Sequence, residues 1–171
     1  RHVGWIALHA GMAAGAHAIL IPEVPMSMDE IVELVTKAHD RGRAPLVVVS
    51  EGFTLEGMDE AYSDKGLDAF NRPRLGGIGE VLAPEIERRT GIETRSTVLG
   101  HIQRGGSPSG FDRVLATRLG LAAVDAIVEQ AWGRMVALKG TDIVRVPFED
   151  ALGELNTVPR YRYDEAAALF G

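Results

Sequence analysis

Three short runs constrain the fold of this chain more than any other feature: AILIP at 18–22, LVVV at 46–49 and STVL at 96–99. Each is mostly β-branched or apolar, and none alternates with polar residues as a strand with one wet face would. Such runs are predicted strands covered on both faces, the condition of a parallel sheet. Helical patterns lie around them. Ser27-Met28-Asp29-Glu30 is a capping box, followed by Ile31, Leu34, Val35 and Ala38 at helical spacing. A second helix is predicted from about Gly77 to Thr90, with Ile78, Val81, Leu82 and Ile86 inward and Gly91 placed to stop it. Ser109-Gly110-Phe111-Asp112 is another capping box, opening a helix through Val128. The Ala- and Gly-rich segment Val3 to Ala14 reads as a packing helix. Strands alternating with helices predict an α/β fold with a largely parallel sheet.

Composition narrows the partners. A chain of 171 residues with 46% hydrophobic residues can build one sizeable core, and no apolar run is long enough to span a bilayer. A net charge of −6 argues against nucleic acid or an anionic membrane surface as the main partner. The absence of cysteine excludes disulfides and thiolate metal sites and fits a reducing, cytoplasmic setting. The sequence starts Arg1-His2-Val3-Gly4-Trp5 with no initiator Met, which reads as a chain entered in mid-motif, a fragment. Gly52 to Leu75 is a polar connection, long enough for a functional flap or a mobile excursion. There is no internal repeat, low-complexity tract or clear interdomain linker.

In β/α proteins the ligand sits beyond the carboxyl ends of the strands. Two loops stand out there: Ser50-Glu51-Gly52 after LVVV, and Gly100 to Ser107 after STVL. In the second, GHIQRGGSPSGFDR, glycines free backbone N–H groups, a helix starts directly after, and Arg104 can grip an anion bidentately while His101 donates to it. Glu51 could accept hydrogen bonds from hydroxyls, which together suggests a polyhydroxy ligand bearing phosphate. The same spacing also suits a helix cap paired with a nearby acid. None of the histidines His2, His9, His17, His39 and His101 has the i, i+4 geometry of a helical zinc site. No G-x-S-x-G elbow, P-loop or G-x-G-x-x-G turn is present. These are binding residues without a catalyst or a metal site.

Longer stretches carry a resemblance. ETRSTVLGHIQRGGSPSGFDRVLATRLG at 93–120, RHVGWIALHAGMAAGAHAILIPE at 1–23, SEG at 50–52 and GTDIVRVP at 140–147 resemble the C-terminal half of bacterial 6-phosphofructokinase. Within that family the chain is similar to the actinobacterial-type branch, with ATP-dependent and pyrophosphate-dependent members. The resemblance implies a three-layer α/β fold with a mainly parallel sheet, of which this chain would be the C-terminal part that binds fructose 6-phosphate. It implies ATP-dependent phosphorylation of that sugar to fructose 1,6-bisphosphate in glycolysis. Mg²⁺ and ATP would bind mainly through an N-terminal half not seen here, so the chain alone would not turn over. Arg1 matches the arginine of a Met-Gly-Arg substrate motif, and Glu51 a carboxylate that contacts the sugar. His101 and Arg104 match the pair gripping the 6-phosphate, with Ile102 and Gln103 in the same stretch. Arg95 matches an arginine that reaches a neighbouring subunit's 6-phosphate, which implies a homo-oligomer, usually a tetramer, with shared sites. Glu23, Arg41 and Arg43 fall where allosteric members hold an effector, although the spacing before LVVV is one residue shorter; cations suiting a helix C-terminus are the other reading of the arginines. Two further functions stay open: a pyrophosphate-dependent enzyme, and a non-catalytic sugar-phosphate-binding regulatory module.

Overall fold

A computed structural model describes residues 2–56, 77–100 and 105–171. Most of the polar connection from Gly52 to Leu75 lies outside the described residues, as do Arg1, His101, Ile102, Gln103 and Arg104. The elements run in the order α1 (Trp5–Ala14), β1 (Ala18–Leu20), α2 (Met28–Asp40), β2 (Val47–Val49), α3 (Ile78–Thr90), α4 (Gly110–Val128), β3 (Arg134–Lys139), β4 (Asp142–Pro147), α5 (Phe148–Leu152) and α6 (Arg160–Ala167). They form two compact units: Arg1–Val98 with Asn156–Gly171, and Leu99–Leu155.

The first unit is built on a parallel β1–α2–β2 crossover, with Ala18 opposite Val47, Ile19 opposite Val48 and Leu20 opposite Val49. All three β1 residues are buried, as the unalternated run AILIP predicts. Ile19 and Ile21 join Ala7 and Leu8 of α1 and Tyr163 and Ala166 of α6 in one cluster. Ala18 and Leu20 join Ile31 and Val35 of α2 and Leu82 and Ile86 of α3 in another. The sheet therefore has an apolar helix pair on each face. Leu8, Ile19, Leu20, Ile21 and Ile31 are each less than 2% exposed; burying one such side chain stabilises by about 1.5–3 kcal/mol.

Local signals explain the helices. Ser27 Oγ accepts the Glu30 amide while the Glu30 carboxylate accepts the Ser27 amide, so both halves of the capping box form. Arg41 caps the other end of α2. Gly91 takes a left-handed conformation (φ 72°) and stops α3 after Thr90. α1 lies so close to β1 that a Cβ on Gly11 would come within 2.6 Å of Ile19 Cδ1.

One reading of the sheet needs correction. Ser96–Leu99 is not a strand: Val98 and Leu99 are 65% and 57% exposed, and no described strand pairs with this stretch. Its residues suit a strand, but a strand exists only through a partner. The second unit carries a sheet of its own, an antiparallel hairpin. β3 and β4 pair from Arg134 opposite Pro147 to Lys139 opposite Asp142. RMVALK and DIVRVP, separated only by Gly140 and Thr141, carried that signal: two apolar runs flanking a two-residue turn with a glycine at positive φ.

In this second unit α4 starts where the Ser109–Asp112 capping box places it and packs on β3 and β4. Leu115, Leu119, Ala122 and Ala126 form a half-buried stripe, while Val114, Leu121, Val124 and Val128 on another side of the helix are exposed. No residue of α4 is fully buried.

Candidate functional site

The carboxyl ends of β1 and β2 lie side by side, because the Ser50 amide continues the ladder by donating to the Leu20 carbonyl (2.9 Å). β2 then turns at once: the Phe53 amide donates to the Ser50 carbonyl (3.1 Å), and Glu51 stands exposed on that turn. Ser50 Oγ is buried and has no hydrogen-bond partner among the described residues. Glu51 therefore stands beyond the carboxyl end of a parallel strand, the edge at which open α/β sheets in general meet their ligands.

β1 turns at the same edge through Ile21–Val24, closed by the Val24 amide on the Ile21 carbonyl (3.2 Å). The turn presents Glu23. Its Oε1 accepts the Gly4 amide at 3.0 Å and the Val158 amide at 2.9 Å. Its Oε2 is buried with no partner among the described residues. Gly4 is the N-cap of α1, so the carboxylate sits at the positive end of that helix. Only glycine fits there, since a Cβ would lie 2.4 Å from Ile21 Cβ. Next to it, Trp5 Nε1 donates to the Asn156 carbonyl (2.7 Å). The edge that carries Glu51 therefore also anchors the chain three residues after Arg1.

The other candidates are placed less tellingly. Arg95 is exposed and its guanidinium is paired with Glu93 at 2.7 and 3.0 Å. Thr94 and Ser96, flanking it, line an open cavity of about 580 Å³ with Glu80, Ala83, Pro84, Glu87 and Arg88 of α3. Arg41 donates to the Gly171 carbonyl, as a cation at the end of α2 can, and Arg43 is exposed. His17 Nδ1 accepts the Leu46 amide (3.1 Å), tying the starts of β1 and β2, and His9 meets the Trp5 ring edge-on at 5.6 Å. Both are packing histidines. Residues 101–104, read from the sequence as a phosphate grip, lie outside the described residues, but the helix predicted to follow them is present as α4.

Sequence reasoning missed the ties of Glu23 and Trp5 to the C-terminal segment, and the bond from the Tyr163 hydroxyl to the Ile19 carbonyl (3.0 Å). Each spans more than a hundred residues of chain, so no local pattern announces it.

A parallel β–α–β unit between two helix layers, with an acid at the carboxyl end of its second strand, defines an α/β protein of the class that receives its ligand at that edge. The phosphofructokinase family profile matches residues 1–127. The chain is 54% identical over 171 residues to the pyrophosphate–fructose 6-phosphate 1-phosphotransferase of Amycolatopsis methanolica, covering all of this chain and 50% of that protein. It is 49% identical over 172 residues to the ATP-dependent 6-phosphofructokinase of Mycobacterium tuberculosis (strain ATCC 25618 / H37Rv), again covering 50% of it. The fold superposes on a phosphofructokinase from Pichia pastoris with a TM-score of 0.68 at 30% identity, over 99% of this chain and 16% of that one. The chain belongs to the phosphofructokinase family. It spans about half the length of the curated relatives it matches.

Proposed function

We propose that this chain is the fructose 6-phosphate-binding part of a longer 6-phosphofructokinase. The observation that carries the reading is the strand edge at which Glu51 stands exposed and the chain following Arg1 is anchored by Glu23. A sugar phosphate needs acceptors along its hydroxyls and cations at one end. Glu51 supplies an acceptor, while Arg1, His101 and Arg104 supply donors, with Ile102 and Gln103 in the same stretch. Arg95 serves the 6-phosphate of a neighbouring subunit in a homo-oligomer, a tetramer by analogy with the family.

Phosphoryl transfer depends chiefly on positioning and electrostatic stabilisation. The residues of this chain hold the acceptor sugar; the base that takes the 1-hydroxyl proton belongs to the rest of the longer enzyme. Among the described residues no three His, Asp or Glu side chains gather as a metal cage. In this reading Mg²⁺ enters with the phosphoryl donor through that remainder. Relatives named for pyrophosphate (54% identity) and for ATP (49%) both support a phosphoryl donor, and the former favours pyrophosphate as a second reading. Glycolysis in the cytoplasm is the setting that suits this chemistry.

The decisive assay joins residues 1–171 to the missing half and offers ATP or pyrophosphate with fructose 6-phosphate. Arg104→Ala in that enzyme is expected to raise KM for the sugar phosphate by about one to two powers of ten, from loss of a charge-assisted contact of roughly 1.5–3 kcal/mol. A KM that barely moves would remove Arg104 from the phosphate grip.

A further inference from the structure

We propose that Glu23 is a positioning residue for the sugar-phosphate site: a clamp whose single oxygen fixes both the chain behind Arg1 and the C-terminal segment at 156–158. The inference rests on the functional reading above and goes beyond it, since no contact between Glu23 and substrate is invoked.

The geometry is specific. Glu23 Oε1 receives two backbone amides, Gly4 at 3.0 Å and Val158 at 2.9 Å, from segments that start different helices. Gly4 opens α1, its carbonyl accepting the Leu8 amide at 2.8 Å. Val158 is 4% exposed in the cluster that α1 and α6 share, directly before Pro159 caps α6. Gly4 is also wedged against Ile21, where a Cβ would lie 2.4 Å from that side chain. The backbone at Gly4 can neither move toward β1, where Ile21 blocks it, nor leave without breaking the bond to Glu23. The turn carrying Glu23 is itself fixed at the end of β1, beside the strand end that presents Glu51. Trp5 reinforces the contact by donating to Asn156. The strand edge, the start of α1 and the returning C-terminal segment are thus one mechanical assembly, and the position of Gly4 relative to that edge depends on it. Small displacements of a binding group weaken its contacts steeply.

With the clamp in place, accepting geometry and not charge is what matters at position 23. Glu23→Gln keeps an oxygen able to accept both amides. Glu23→Asp keeps the charge but withdraws the oxygen by one methylene, and Glu23→Ala removes it. In the full-length enzyme, Glu23→Asp and Glu23→Ala are expected to raise KM for fructose 6-phosphate on the order of tenfold, with kcat within about twofold, and Glu23→Gln to stay near wild type. Hydrogen exchange should show the Gly4 and Val158 amides losing protection together in the Asp and Ala variants. The opposite order, with Gln impaired and Asp normal, would overturn the clamp and assign the position to charge, as an effector site would. So would an unchanged KM in Glu23→Asp when both amides have lost protection, or loss of protection at only one of them. If Glu23→Ala does not fold, the Asp and Gln pair still decides. A wild-type enzyme inactive on fructose 6-phosphate with either donor would overturn the functional reading, while the paired loss of protection still reads the clamp.

Discussion

Tyr163 shows how one side chain can tie distant segments and set a pH limit. Its hydroxyl donates to the Ile19 carbonyl (3.0 Å) beneath α6, and its ring meets Phe170 edge-on at 5.8 Å. Burial is the main cause that pushes the phenol up to about 12, from an ordinary value of 10.0. A raised folded value means that the stabilising difference is fully present below pH 10. It is lost as pH climbs from 10 toward 12, where the unfolded chain ionises first. Tyr163→Phe should lower stability at neutral pH by about 1 kcal/mol through loss of the hydrogen bond. It should also flatten the decline above pH 10, which melting curves taken across pH 8–12 would reveal. An unchanged alkaline slope would mean that another group controls it.

At the scale of elements, the contact between α1 and β1 is set by what Gly11 lacks. A methyl there would lie 2.6 Å from both Ile19 Cγ1 and Cδ1, inside a fully buried strand. Gly11→Ala is therefore expected to destabilise by about 1–3 kcal/mol, despite the higher helix propensity of alanine. In an Ile19→Ala background that penalty should shrink, and a double-mutant cycle by chemical denaturation measures the coupling. Helix starts are a separate matter. Ser27→Ala removes half of the α2 capping box and should cost about 1 kcal/mol, with no change in KM. α3 is tied to its neighbour by charge: Arg88 and Arg89 hold Glu85 down to about 2, and Arg89 reaches across to Asp29 at the start of α2. Arg88 and Asp29 are largely exposed and Glu85 and Arg89 partly so, and salt therefore screens their attraction.

At the scale of the whole molecule, the chain spans about half the length of its curated relatives, and the proposed function makes turnover depend on the rest of a longer enzyme. Residues 1–171 alone should bind fructose 6-phosphate weakly and show no turnover, and activity should return when the other half is supplied. Arg95 is exposed and hydrogen-bonded to the neighbouring Glu93, and the proposed function gives it to a site shared between subunits. Arg95→Ala mixed with a variant inactive in its own site should regain activity in hybrid oligomers; a mixture with no gain would count against a shared site. The exposed stripe of α4, Val114, Leu121, Val124 and Val128, belongs to a helix apolar on two sides, a pattern of helices covered on both.

The helices and their ends were legible in the sequence. Both capping boxes, the stop at Gly91 and the span of α4 depend on groups three or four residues apart, which a local pattern contains in full. The covering of β1 on both faces was equally plain, because a run without alternation has no wet side. Glu51 could be placed at a strand end, whereas the phosphate role of the 101–104 stretch was read through family resemblance, its own chemistry leaving two readings open. Strand partnership was legible only where a two-residue turn joins the strands, as between RMVALK and DIVRVP; STVL has the residues of a strand and finds no strand partner among the described residues. Nor was Glu23 legible as a clamp, since its second amide lies 135 residues away. Capping and amphipathicity are satisfied within a turn of helix. A ladder or a buried acceptor is satisfied only when packing brings distant backbone to it, and that choice belongs to the tertiary structure.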